Sequence, residues 1–169
     1  MKLKETILKE HSKKNCTLII SYVGNNQERF DELVQLFLHS DYRVIQRASW
    51  PLSYIVDKHP GLIKKHFGKL IRNLRKPGLH DAAKRNTLRL LQTYPIPIKY
   101  RGEIMDTCFR NIESPTEKPA IKAFSLTILH NLSKQYPDIK YELKTIIESR
   151  WPYESAAFKS RARKILKEL

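Results

Sequence analysis

The residues of this sequence best suited to chemistry are basic side chains, gathered in one stretch with almost no acids among them. Between Lys58 and Gly102 there are twelve lysines and arginines and a single acid, Asp81. A basic stripe of six residues opens this stretch, at spacings that place several of them on one side of a helix: Lys64, Lys65, Lys69, Arg72, Arg75 and Lys76. Like charges three or four residues apart repel by roughly tenths of a kcal/mol per pair, so helix stability alone favours intervening glutamates. The basic stripe therefore indicates a surface that binds a polyanion, whereas its alternative interpretation is the solvated face of a generally basic protein.

The histidines and cysteines show no spacing typical of a metal site or of a catalytic nucleophile. The histidines are His11, His39, His59, His66, His80 and His130. His59 and His66 are seven residues apart, and no set of cysteine or carboxylate ligands lies near them in the sequence. Cys16 and Cys108 are too isolated for a disulfide framework, which favours a reducing compartment. Glycine-rich phosphate loops and zinc-protease motifs are absent, so the sequence predicts no metal and no cofactor.

The composition favours a basic, soluble protein. The 169 residues carry 32 lysines and arginines against 17 acids, a formal net charge of +15. No apolar run approaches the roughly 18 residues of a membrane span. The charged start of the chain lacks the apolar core of a signal peptide. We therefore expect a single domain over residues 1–169, located in the cytoplasm, with no membrane span.

Apolar periodicity divides the chain into helices. The clearest unit is a hairpin from Asp41 to Leu74, in which two stripes of apolar residues at three- and four-residue steps meet at His59-Pro60-Gly61. Asp41 is expected to cap its first helix, Pro60 to lie in the first turn of its second, and Pro51 to bend or break the first. Eight further helices are expected, at 1–12, 15–23, 28–38, 81–94, 98–112, 117–136, 139–148 and 154–169. Asn15 is expected to cap the second helix of the chain.

Four of these helices align without gaps at a basic anchor residue. The anchors are spaced 38, 37 and 39 residues apart: Arg47, Arg85, Lys122 and Arg161. The residue after each anchor is alanine, except for Asn86, and a small residue there lets neighbouring helices approach closely. We expect the anchors to reach helix ends or acids of the neighbouring repeat. Helical units repeated at this period are typical of an α-solenoid, with chance periodicity in an irregular bundle as the alternative.

The order of these residues resembles the HEAT-like repeats of the armadillo-type superhelix. The shared features are a basic residue, a small residue and a leucine, then His-Pro or Tyr-Pro, then a second amphipathic helix. The resemblance extends from about Asn15 to Leu169. It implies an all-α, right-handed α-α superhelix of about four hairpins with worn end repeats, whose second helices line a binding surface. It implies no reaction, because a fold does not determine a function.

One enzyme family with a similar fold offers an alternative. HEAT-like alkylpurine DNA glycosylases hold a damaged duplex in a basic groove, where a tryptophan and an aspartate line the site of bond cleavage. Trp50 and Asp57 lie seven residues apart on one predicted helix, and two helical turns place them on roughly the same side. Their spacing departs from the arrangement of that family. The alternative roles are packing for Trp50 and a contact at a helix end or with the next repeat for Asp57.

The sequence therefore favours a non-enzymatic HEAT-like repeat module or scaffold whose basic stripe binds an acidic protein segment or a nucleic acid. The alternative is a DNA-binding protein or a repair enzyme similar to the alkylpurine DNA glycosylases.

Overall fold

The computed structural model describes all 169 residues, and its regular structure is entirely helical. Two short 3₁₀ turns, at Lys64–His66 and Trp151–Tyr153, accompany the helices. The ten helices are α1 (Leu3–Lys9), α2 (Lys13–Val23), α3 (Gln27–His39), α4 (Tyr42–Lys58), α5 (Phe67–Leu74), α6 (Asp81–Leu91), α7 (Ile98–Glu113), α8 (Pro119–Ser133), α9 (Ile139–Arg150) and α10 (Ala156–Leu166). The predicted all-α class and all ten helices are thus confirmed, with shifted ends.

Short polar residues start four of the helices. Ser12, Asn26, Asp41 and Ser155 each accept a hydrogen bond from the backbone N–H three residues further on. Each bond satisfies a donor that the first turn of a helix leaves without an internal partner. The cap predicted at Asp41 is confirmed.

The cap predicted at Asn15 is wrong, because Ser12 already fills that role for α2. Asn15 instead lies inside α2, where it is 5 % exposed. Its Nδ2 donates to the backbone oxygens of Thr6 at 2.8 Å and Glu10 at 2.9 Å. Asn15 therefore ties the end of α1 to the start of α2.

The hairpin expected from Asp41 to Leu74 forms, although its two helices differ from the prediction. Helix α4 continues without a break through Pro51, which is buried. The second helix begins at Phe67 rather than near Pro60, because residues 59–66 close through bonds between positions three apart. Such bonds make a tighter turn than the α-helix and are usual in short connecting segments.

The chain forms two compact units, Met1–Asn86 and Thr87–Leu169, and α6 includes the boundary between them. In the first unit α4 packs against α1, α2 and α3. Among its fully buried side chains are Leu3, Ile7, Phe30, Phe37, Ile55 and Phe67. In the second unit α8 packs against α7, α9 and α10. Its buried residues include Leu126, Leu129, Leu143, Ile147 and Phe158.

Two of the four repeat anchors make the kind of contact that was expected, with a helix end or an acid, and a third, Arg161, instead contacts a hydroxyl in the middle of another helix. Arg47 Nη1 donates to the backbone oxygen of Leu8 at 2.7 Å, near the end of α1. Lys122 Nζ forms a buried ion pair with Glu154. Arg161 Nη1 donates to Thr127 Oγ1 at 2.6 Å. The anchors thus join helices to their neighbours within each unit.

Arg85 departs from this pattern because its side chain is exposed. The residues that follow the anchors are uniformly buried: Ala48, Asn86, Ala123 and Ala162. Asn86 compensates for its polar side chain by donating from Nδ2 to the backbone oxygen of Ala82 at 2.8 Å. The position after the anchor is therefore buried in all four copies, and the anchor contacts another part of its unit in three of them.

Candidate functional site

The basic stripe lies on α5 and on the turns that flank it. All six of its residues are exposed, while the opposite side of the same segment is buried. The buried side chains are Ile63, Phe67, Leu70, Ile71 and Leu74, none more than 8 % exposed. Because these apolar groups are buried against the rest of the first unit, the charged side faces outward, as the sequence pattern predicts.

One residue of the basic stripe is neutralised by an acid from another helix. Lys65 Nζ forms an ion pair with Asp31 of α3. The same carboxylate receives Gln27 Nε2 at 2.8 Å and lies 2.6 Å from His66 Nε2. Burial acts to raise the pKa of Asp31, but hydrogen bonds from Lys65, Gln27 and His66 outweigh it and lower the pKa to about 2. Lys65 therefore links the turn before α5 to α3 through this ion pair, while its side chain stays on the surface.

This Asp31 cluster was not predicted from the sequence. His66 is adjacent to the basic stripe in the chain, yet only 3 % of it is exposed. Asp31 and His66 are thirty-five residues apart. No local pattern signals a contact between side chains so distant in the chain.

Four other residues of the basic stripe have no partner on their side chains. Lys64, Lys69, Arg72 and Lys76 form no ion pair and no side-chain hydrogen bond. Their charges are therefore balanced only by solvent and mobile ions. Such groups release counterions when an anionic partner binds, which favours association at low salt.

Three of these cations border a cavity of about 260 Å³ within the first unit. Its lining residues are Leu38, His39, Lys69, Arg72, Asn73 and Lys76. The first two come from the end of α3, and the rest come from α5 and the residues just after it. The sequence signalled the cations, but it did not signal His39 or Asn73, because their roles depend on how α3 and α5 meet.

Trp50 and Asp57 are both on α4, as predicted, but their surroundings differ. Trp50 is half-buried and its ring lies 5.6 Å from that of His11. The space that both residues line has a volume of about 10 Å³, room for roughly one water molecule. Asp57 is exposed and has no ion-pair partner. This environment matches the packing role considered for Trp50.

The other candidate residues for chemistry are buried or dispersed. Cys108 is fully buried, and burial raises the pKa of the Cys16 thiol. His130 Nε2 lies 3.4 Å from a carboxylate oxygen of Glu168, and burial lowers the pKa of that histidine. No three histidine, cysteine or carboxylate side chains come together as metal ligands. No helix combines the length and apolar character needed to cross a membrane.

Comparison with known proteins bears directly on the repeat. A family model described as a HEAT repeat domain matches residues 3–169. No curated protein and no solved structure matches the chain. HEAT repeats generally mediate protein interactions, so the match indicates a repeat-based binding or scaffold module.

Proposed function

This chain belongs to the HEAT repeat domain family, and we propose that it is a non-enzymatic binding module whose basic stripe docks a polyanionic partner. The partner would be an acidic protein segment or a nucleic acid. The contact residues are Lys64, Lys65, Lys69, Arg72, Arg75 and Lys76.

The observation that supports this proposal most strongly is the lack of internal partners for exposed cations on α5 and its flanks. Lys64, Lys69, Arg72 and Lys76 are exposed and unpaired. Their mutual repulsion gives no benefit to the folded protein by itself. An anionic partner removes that repulsion and gains charge-assisted hydrogen bonds, which are stronger than neutral ones.

The local geometry suits a partner that contacts several charges at once. The cations project from one helix and its flanking turns, on the side away from the core. Arginine offers a planar fork to a phosphate or carboxylate, and lysine offers a mobile point charge. A linear polyanion can therefore meet successive side chains without a deep pocket.

The test is a binding titration with two fluorescent polyanions, a DNA duplex and a polyglutamate peptide, at about 50 and about 200 mM salt. We expect binding at the lower salt and a steep loss at the higher, because each neutralised phosphate contributes a slope of about −0.9 to log K against log salt. If neither polyanion binds at the lower salt, the proposal is wrong. The stronger of the two identifies the class of partner.

A charge-matched pair of variants locates the surface. The variant Lys69→Glu, Arg72→Glu, Lys76→Glu reverses three unpaired cations of the basic stripe. The control Lys4→Glu, Lys13→Glu, Lys164→Glu reverses three exposed lysines elsewhere and changes the net charge equally. We expect the first to weaken binding at least about tenfold and the control far less, because contact requires proximity. Equal losses would mean that net charge, rather than this surface, governs binding.

A further inference from the structure

The cavity beside α5 is lined by residues that the exposed basic stripe alone does not explain. Lys69, Arg72 and Lys76 border it, and no carboxylate is among its lining residues. Leu38 and His39 close it from the side of α3. These three cations form no ion pair with Asp31, whose carboxylate contacts Lys65 and His66 instead. The positive charge around the cavity is therefore not cancelled by nearby acids.

Two helix ends oppose this charge only weakly. Helix α3 ends at His39 and α5 ends at Leu74. The carbonyl end of a helix is equivalent to roughly half a negative charge, and its effect fades within one turn. Three full positive charges outweigh two such ends. The cavity is thus suited to an anion.

A second and independent feature is an unsatisfied donor in the cavity wall. Asn73 lines the cavity and is 3 % exposed, yet its Nδ2 has no hydrogen-bond partner. A buried donor without a partner carries a desolvation penalty that most proteins avoid. Nδ2 itself lies beneath the surface, and a half-turn of the amide group, which exchanges its nitrogen and oxygen, turns this donor toward the cavity. An oxyanion held by the three cations can then supply the acceptor that the donor lacks. The surface stripe alone gives no reason for an asparagine at this position.

We infer that this cavity binds a phosphate monoester group carried by a phosphorylated segment of a protein partner. This inference rests on the proposed function, because the cavity belongs to the same basic surface. Lys69, Arg72 and Lys76 bind the charge, and the Asn73 amide donates to one oxygen. The flanking Lys64 remains on the surface for an acid next to the phosphorylated residue.

The chemistry of the ligand favours a monoester over the diester of a nucleic acid. A phosphorylated side chain carries about −1.5 to −2 charges at pH 7 and presents three acceptor oxygens at its tip. A backbone diester carries one charge, and the chain continues from it on both sides. A cavity bordered by three cations, with a donor in its wall, matches the terminal group.

The first arm of the test uses small probes and NMR. Phenyl phosphate is the monoester, dimethyl phosphate is the diester, and both are titrated at matched ionic strength. We expect saturable shifts of the Asn73 side-chain amide with phenyl phosphate, and binding of dimethyl phosphate at least about tenfold weaker, as the charge difference requires. Equal affinities, or no shift at Asn73, would overturn the inference.

The second arm uses variants that separate the amide from the charges. Asn73→Leu keeps every charge, so it should weaken phenyl phosphate about fivefold, the worth of one hydrogen bond of ~1 kcal/mol. Arg72→Gln should weaken it at least about tenfold, because hydrogen bonds to charged groups are stronger. Lys164→Gln, at an exposed position elsewhere, should leave it within about twofold. If Asn73→Leu binds phenyl phosphate as tightly as the parent, the amide takes no part and the inference is wrong.

The third arm identifies the source of the phosphate. A phosphoserine peptide with neighbouring glutamates is compared with the same peptide carrying serine, and with a single-stranded oligonucleotide that lacks terminal phosphates. Tighter binding of the phosphopeptide than of either competitor supports the inference, and preference for the oligonucleotide overturns it.

The failures of the two proposals are distinguishable. If reversal of Lys69, Arg72 and Lys76 abolishes polyanion binding while Asn73→Leu and phenyl phosphate have no effect, the surface is correct and the cavity is not a site. If no polyanion binds but phenyl phosphate shifts Asn73, the cavity is a site and the wider docking surface is wrong.

Discussion

Basic side chains on α5 differ from those on α8 and α9 in whether an acid of the protein neutralises them. Lys122 of α8 is 2 % exposed and forms an ion pair with Glu154, which also receives Arg150 Nε at 3.0 Å. On α5, Lys69 and Arg72 are exposed and have no partner. Lys122 and Arg150 are thus held by an acid of the protein, whereas Lys69 and Arg72 are not.

The position of the nearest carboxylate, rather than the charge itself, therefore decides whether a basic side chain is paired within the protein. Glu154 lies at the turn before α10, and the packing of α10 on α8 brings it to Lys122. On α5 the only described carboxylate partner from α3 is Asp31, and it is used by Lys65 and His66. The unpaired cations of α5 are those beyond its reach.

The largest expected effect comes from removing the buried carboxylate. Glu154→Leu leaves the Lys122 ammonium buried without its counter-charge, and we expect a loss of about 3–5 kcal/mol in the free energy of unfolding. Urea denaturation measures it. The double variant Lys122→Met, Glu154→Leu should recover most of the loss, because it leaves no fully buried charge and the remaining Arg150 side chain is 21 % exposed.

The control for that experiment is the exposed pair Lys144–Glu148, whose side chains are 58 % and 60 % exposed. Glu148→Leu should change the free energy of unfolding by less than about 1 kcal/mol, because solvent screens such pairs. If Glu154→Leu costs no more than Glu148→Leu, the contrast between the buried and the exposed cations has no energetic basis.

A medium effect is expected at the repeat anchors. Arg47→Met removes the hydrogen bond to the backbone oxygen of Leu8 and should cost about 1.5–3 kcal/mol, the usual range for a bond from a charged group. Arg85→Met, at the equivalent position of the next copy, should stay within about 0.5 kcal/mol because that side chain is exposed. Both are measured by the shift of the urea midpoint. Equal effects would show that the anchor position, rather than the contact, matters.

The smallest expected effect sharpens the assignment of the basic stripe. Arg72→Gln should change the free energy of unfolding by no more than about 0.5 kcal/mol. The change should be a slight gain at low salt, because the substitution removes a like-charge pair with Lys69 three residues before it. Thermal unfolding at low and high salt measures both values. A loss above about 1 kcal/mol would mean that Arg72 supports the fold, contrary to its availability for a partner.

The sequence predicted much of the fold because helix formation depends on residues three and four positions apart. The apolar steps of α4 and α5 and the cap at Asp41 are local signals, and the structure follows them. The same periodicity placed the charges of α5 opposite its buried side. The exposed side of the candidate surface could therefore be predicted from one helix alone.

Contacts between distant helices were beyond such signals. Three contacts join residues more than thirty positions apart in the chain: Lys65 with Asp31, His66 with Asp31, and Lys122 with Glu154. The sequence suggested a neighbouring acid or helix end for the anchors, but it did not specify which group.

Local patterns in the amino-acid sequence are sufficient to predict a series of amphipathic helices and an excess of positive charge on one of them. Which of these charges are paired within the protein depends on how the helices pack. The end of α3 meets α5 and closes a cavity with Asn73 in its wall. The physical reason is that periodicity reports the environment of each helix face, whereas ion pairing and cavity shape depend on the positions of whole helices in space.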